Sequence, residues 1–198
     1  MWAKVENGSI VASRGTRPNW LNDQGQPVSD AVLKQEGWLP VENETKPTID
    51  EFSQRLTIQP VNQATIETNR VVRSYVVNDI TLEELKSRYK QVADQNKDAT
   101  LVGGVDHTVN STTYTFSSTD QSLSRLDFAR QGTTNRRWRT QTGDWVELTP
   151  SQLEAIFQKA VDQVETAFST LEQDEIAIDN AASISDLKTV AQNRGLIG

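Results

Sequence analysis

The run from Trp138 to Leu171, WRTQTGDWVELTPSQLEAIFQKAVDQVETAFSTL, constrains the chain more than any other stretch. Its second part reads as a long amphipathic helix. Thr149 is placed as N-cap, with Pro150 at the first helical position and Gln152 three residues after the cap. That is the capping-box pattern, which satisfies backbone N–H groups left free at a helix start. Leu153, Phe157, Ala160, Val164, Ala167 and Leu171 then recur at alternating steps of four and three, and Ile156, Val161 and Phe168 widen the stripe. A face this broad predicts packing against the helix's own domain, although the strict four-three core also permits a homo-oligomeric bundle.

The first part reads as a β-hairpin. RRWRT and DWVEL flank a turn containing Gly143, so Trp138 and Trp145 are expected to be cross-strand neighbours that cover the start of the helix. A sugar-stacking aromatic pair is the functional alternative.

The rest of the chain punctuates itself in the same way. Asn7-Gly8 predicts a hairpin over residues 1–14, and Ser29 predicts the cap of a short helix ended by Gly37. Trp38 to Val41 reads as extended, and Leu56 and Ile58 suggest a strand stopped by Pro60. Arg70 to Val77, rich in β-branched residues, reads as one strand, central in a small sheet. Thr81 with Glu84 opens a second capping box, and a helix follows up to a polar break at Asn96 to Thr100. Beyond the break, Leu101 to Phe116 suggests strands around Gly103-Gly104, and Ser118 with Gln121 predicts the cap of a helix to Arg130. Ser183 predicts a last short helix.

The expected fold is therefore α+β in two small modules. Residues 1–96 form a mainly-β docking part with short helices, and residues 97–198 a β-hairpin plus the long helix, placed at 150–178.

Composition narrows the partners. Over 198 residues, 20 basic against 27 acidic side chains leave a net charge of −7. A chain this acidic is a poor match for nucleic acid or an anionic membrane surface. No cysteine is present, so neither disulfides nor thiolate metal sites are expected. No apolar run reaches the ~18 residues of a membrane span, and MWAKVENGSIV lacks the basic start and apolar core of a signal peptide.

Nothing in the chain reads as chemistry, and the expectation is a protein that is not an enzyme, with no cofactor, no metal and no catalytic residue. His107 is the single histidine and has no metal-ligand spacing or nucleophile elbow around it. Gly103-Gly104 lacks the remainder of any phosphate-binding motif. Arg125, Arg130, Arg136, Arg137 and Arg139 form the one basic concentration. They suit an acidic partner surface or polysaccharide, or else pairing with Asp120, Asp127, Asp144 and Glu147 in the same module. Glu172, Asp174, Glu175 and Asp179 read as a solvated helix face. Arg137, Trp138, Arg139, Trp145, Phe157 and Phe168 are the candidate partner-contact residues.

Several of these residues also carry a resemblance. Phe116, Asp120, Gln121 and Arg125, then Trp138, Gly143, Trp145, Val146, Leu148, Thr149, Gln152 and Leu153, continue through Val161, Val164, Phe168, Glu172 and Ile176 to Ala181, Ala182 and Leu187. This string, over about residues 108–190, resembles a C-terminal domain of unknown function common in tail-fibre-associated proteins of tailed bacteriophages. The first half is similar, through Val5 to Val11, Trp38 to Pro40, Tyr75 to Val77 and Thr81 to Leu85, to small N-terminal domains of phage tail proteins.

The resemblance implies a structural tail protein: an adaptor or fibre-linked component at the baseplate or tail tip. Its partners would be other tail or baseplate proteins and a tail fibre, with a homo-oligomer possible and neither nucleic acid nor membrane. It would reside in the virion tail, and in the host cytoplasm during assembly. The alternatives are a fibre-assembly chaperone absent from the mature virion and a host-receptor or carbohydrate-binding module.

Overall fold

Asn7 and Gly8, both at positive φ (52° and 75°), reverse the chain between β1 (Trp2–Glu6) and β2 (Ser9–Arg14). The computed structural model describes residues 1–197 and divides into two compact units, Met1–Thr81 and the chain from Leu82 onward.

In the first unit, helix α1 (Asp30–Gln35) is capped by the Ser29 hydroxyl, which accepts from the Val32 N–H. Gly37 follows it at φ 81°, and Val5 N–H donates to its carbonyl at 2.8 Å. A Cβ at Gly37 would lie 2.6 Å from the Val5 carbonyl oxygen, so glycine is required by both conformation and approach. The chain then enters β3 (Trp38–Asn43) beside β1. Next come β4 (Gln54–Ile58), a single 3-10 turn at Val61–Gln63, β5 (Thr65–Ile66), β6 (Val71–Arg73) and β7 (Tyr75–Asp79). One sheet runs β2-β1-β3-β6-β5, with β3 and β6 parallel, and β4 pairs with β7 separately. Strand alternation sends Trp2 and Trp38 to one cluster with Leu33 of α1, and Ala3 and Leu39 to another with Val71.

The single strand expected over Arg70 to Val77 is in fact two. Ser74 breaks it, and the halves join different sheets: β6 is internal in the five-stranded sheet, whereas β7 pairs only with β4.

The second unit begins with α2 (Leu82–Gly103). The helix runs straight through Asn96 to Thr100, where the polar break and module boundary were expected; the compact units divide between Thr81 and Leu82. Polar residues on an exposed helix flank carry no stop signal of their own. The stop comes at Gly104, φ 72°. The strands expected around Gly103-Gly104 begin after it: β8 (Val105–Val109) and β9 (Thr112–Phe116), joined by Asn110 and Ser111, both at positive φ.

The carbonyls at the end of α2 are satisfied by side chains from three other places. Ser118 Oγ donates to Leu101 O at 2.7 Å, Gln141 Nε2 to Val102 O at 2.7 Å, and Gln163 Nε2 to Thr100 O at 2.8 Å. This ties α2 to the rest of the unit at a point where a helix leaves acceptors free. It also corrects one expectation: Ser118 is buried and serves α2, while Thr119 is the N-cap of α3 (Asp120–Arg130), without a capping hydrogen bond from its side chain.

Strands β10 (Arg136–Arg139) and β11 (Trp145–Leu148) form the expected hairpin and lead into α4 (Pro150–Asn180), which extends slightly past the expected end. Its capping box is present: Thr149 N–H donates to Gln152 Oε1 at 2.9 Å, and Gln152 N–H to Thr149 Oγ1 at 3.3 Å. Helix α5 (Ile184–Asn193) follows, capped by Ser183.

The core joins Val105, Val109 and Phe116 of the first hairpin, Leu126 and Ala129 of α3, Val146 and Leu148 of β11, and Leu153, Ile156 and Ala160 of α4. Farther along, α4 packs against α2 and α5, burying Ala167 and Ile178 with Leu85, Tyr89, Leu187 and Ala191. The long helix thus packs within its own unit, and the fold is α+β, with a β-rich N-terminal part and a C-terminal long helix.

Candidate interaction surface

The β10–β11 register sorts the hairpin's side chains. Arg136 lies opposite Leu148, Arg137 opposite Glu147, Trp138 opposite Val146 and Arg139 opposite Trp145. With a side-chain period of two, Trp138 shares the inner face with buried Val146, and Trp145 shares the outer face with Arg137 and Arg139. The tryptophans therefore do not form the cross-strand pair expected. Trp138 is half-buried against the core, whereas Trp145 is 59% exposed and lies off that core cluster. The Arg137 guanidinium lies over its ring at 5.5 Å.

Helix α3 supplies the other wall. Gln121, Ser124, Arg125 and Phe128 face Arg136 and Trp138 across a groove of about 570 Å³. A smaller hollow of about 270 Å³ adjoins it, lined by Ser117, Ser122, Arg125, Arg137, Arg139 and Trp145. Phe128 is 74% exposed at the edge.

Four arginines on this surface are left without counter-ions. Among the described residues, Arg125, Arg136, Arg137 and Arg139 enter no ion pair within 4.0 Å. Of the acidic residues that could have paired with them, Glu147 accepts from Asn135, Asp144 accepts from Thr142 and Asp127 is held by Arg130. Arg130 behaves differently. It binds Glu154 at 2.8 Å and Asp127 at 2.7 Å and lies 4.2 Å above the Phe157 ring. Hydrogen bonds to Glu154 and then Asp127 raise its pKa. Of the five arginines, Arg130 alone holds the module together.

The candidate contact residues are accordingly divided. Arg137, Arg139 and Trp145 lie together on the outer face, and Trp138 underlies them. Phe157 is half-buried beneath Arg130. Phe168, eleven residues farther along α4, sits ~16 Å away at 1.5 Å per residue and is 52% exposed under Lys97. Phe128 was not singled out from sequence. The available signal was its place off the Leu123–Leu126 face of its helix.

His107 lies on β8 opposite Tyr114. Burial, then the nearby Lys159 charge, lowers its pKa. Asp174 is buried on α4, 3.4 Å from Arg194 but without hydrogen-bond alignment at Oδ1. Burial raises its pKa, and Arg194 opposes that shift. Among the described residues, no three His, Asp or Glu side chains are grouped to hold a metal ion, and no helix is long and apolar enough to cross a membrane.

Residues 84–191 match a domain of unknown function, DUF4376, and the match spans more than half of the chain, which belongs to that family. No curated protein and no solved structure matches the chain.

Proposed function

We propose that this member of the DUF4376 family is a structural component of a phage tail, an adaptor or fibre-linked part at the baseplate or tail tip, acting through protein–protein contacts rather than catalysis. The observation that carries the interaction reading is one surface of the second unit: unpaired Arg137 and Arg139 beside exposed Trp145 on the hairpin's outer face, and unpaired Arg125 and Arg136 beside exposed Phe128 in the adjoining groove. Arginine and aromatic side chains are enriched where proteins meet, because each covers a large area with few rotatable bonds or a fixed donor fork. The phage context rests on the resemblance of residues 108–190 to tail-fibre-associated proteins. In that setting the partners are tail or baseplate proteins and a fibre, and the protein resides in the virion tail after assembly in the host cytoplasm.

The test is mass spectrometry of purified virions, with peptide counts scaled to the tube protein. A fixed copy number per particle supports the tail-component reading. Absence from particles, together with recovery from infected cells on a fibre protein, replaces it with the assembly chaperone. Trp145→Ala adds a control, since an exposed ring is removed: the fold should persist while incorporation falls.

A further inference from the structure

The second unit leaves two exposed surfaces whose character is opposite. The arginine face is one. The other lies on α4, beyond the part that packs on α3. Glu165, Phe168, Glu172 and Ile176 recur at steps of three, four and four, so they line one side of the helix, and Glu175 adjoins them. Phe168 and Ile176 are 52% and 53% exposed. Among the described residues, Glu165, Glu172 and Glu175 enter no ion pair within 4.0 Å, as is true of the four arginines.

Each surface thus holds what the other lacks. One offers guanidinium forks around a groove walled by Phe128 and Trp138; the other offers carboxylates around two protruding apolar side chains. The two cannot meet within one molecule. Trp138 packs at the start of α4, in the cluster with Leu153 and Phe157. Along a rigid helix, Glu165 lies ~18 Å from Leu153 and Ile176 ~35 Å, at 1.5 Å per residue. The match can only be made between copies.

We propose that the arginine face of one copy receives the Glu165–Ile176 stripe of α4 from a second copy, head to tail. This rests on the reading of the arginine face as a protein interface and names its partner. Arg125, Arg136 and Arg137 pair with the glutamates in bidentate geometry, and Ile176 enters the groove, while Phe168, under Lys97, lies at its edge. Because the two patches differ, the contact is heterologous and generates a ring or an open chain of subunits.

The experiment uses the full chain in sedimentation equilibrium. The wild-type mass is expected to exceed that of a monomer and to rise with concentration at low salt. It should fall toward the monomer in high salt, as the exposed charges are screened. Arg136→Glu with Arg137→Glu, and separately Glu165→Lys with Glu172→Lys, should each weaken association by about tenfold or more. All four side chains are solvent-facing, and circular dichroism checks that each variant folds; Arg136→Gln with Arg137→Gln serves if the reversed charges disturb the hairpin. The decisive step is mixing the two charge-reversed variants. The first keeps an acidic stripe for the second's arginine face, and its new glutamates complement the second's new lysines, so the mixture should recover the association that neither variant shows alone. A monomeric wild type, or a mixture that stays monomeric while the wild type associates, overturns the proposal. If the wild type is monomeric yet the Arg136/Arg137 variant still fails to enter virions, the arginine face serves another partner: self-association fails and the tail-component reading stands.

Discussion

Replacing Ile156 and Phe168 by alanine, one at a time, tests which side of α4 faces the core. Both belong to the apolar stripe read from sequence, but Ile156 is fully buried and Phe168 is 52% exposed. Ile156→Ala removes three carbons, a transfer loss of about 2.4 kcal/mol at about 0.8 per methylene. A residual cavity of ~50 Å³ adds about 1.2 kcal/mol at about 24 cal/mol per Å³. The expected loss is about 3.5 kcal/mol. Phe168→Ala gives up only about 1 kcal/mol of partial ring burial, and the better helix propensity of alanine returns about half of it. The assay is urea unfolding followed by far-UV circular dichroism, because α2, α3, α4 and α5 all lie in the second unit and dominate the helical signal. With m about 1.5 kcal/mol/M, the Ile156 variant's midpoint should fall by about 2 M and the Phe168 variant's by under about 0.5 M. Equal shifts would refute the packing of α4 described above.

Three further outcomes are expected. Gly104→Ala should destabilise the second unit by about 1 kcal/mol or more, since φ is 72° and the new Cβ would collide with the Phe116 carbonyl oxygen. Gly103→Ala next to it, with open space around the Cβ, should be neutral or slightly stabilising; thermal melts of the pair check both. Thr149→Ala should cost about 1 kcal/mol by removing half of the capping box, and hydrogen exchange should be fastest in the first turn of α4. His107 provides a pH test: its folded pKa lies below the ordinary 6.5, so the unfolded chain binds the proton more readily. Its contribution to stability is fully present above 6.5 and is lost as pH falls through the folded pKa. His107→Gln should flatten that part of the stability profile, and NMR titration of Lys159→Ala should show the His107 pKa moving upward.

How much was legible in the chain itself depended on whether the signal was local. Asn7-Gly8, the Ser29 cap, Gly37 and the Thr149–Gln152 box were readable because each rests on bonds among neighbours, and the structure holds each one. The amphipathic period of α4 was equally legible, since its face follows from 3.6 residues per turn. The tertiary structure decided what local rules left open. It divided residues 71–79 between two sheets and carried α2 through Asn96–Thr100, because strand pairing and helix packing are made with distant residues. It assigned Ser118 to the end of α2, where free carbonyls needed a donor. The arginine face shows the same division. Five arginines stand close in the sequence, but only the fold brings Glu154 of α4 to Arg130 and leaves the other four unpaired. Charge is a property of the sequence, whereas which charges are neutralised is a matter of geometry.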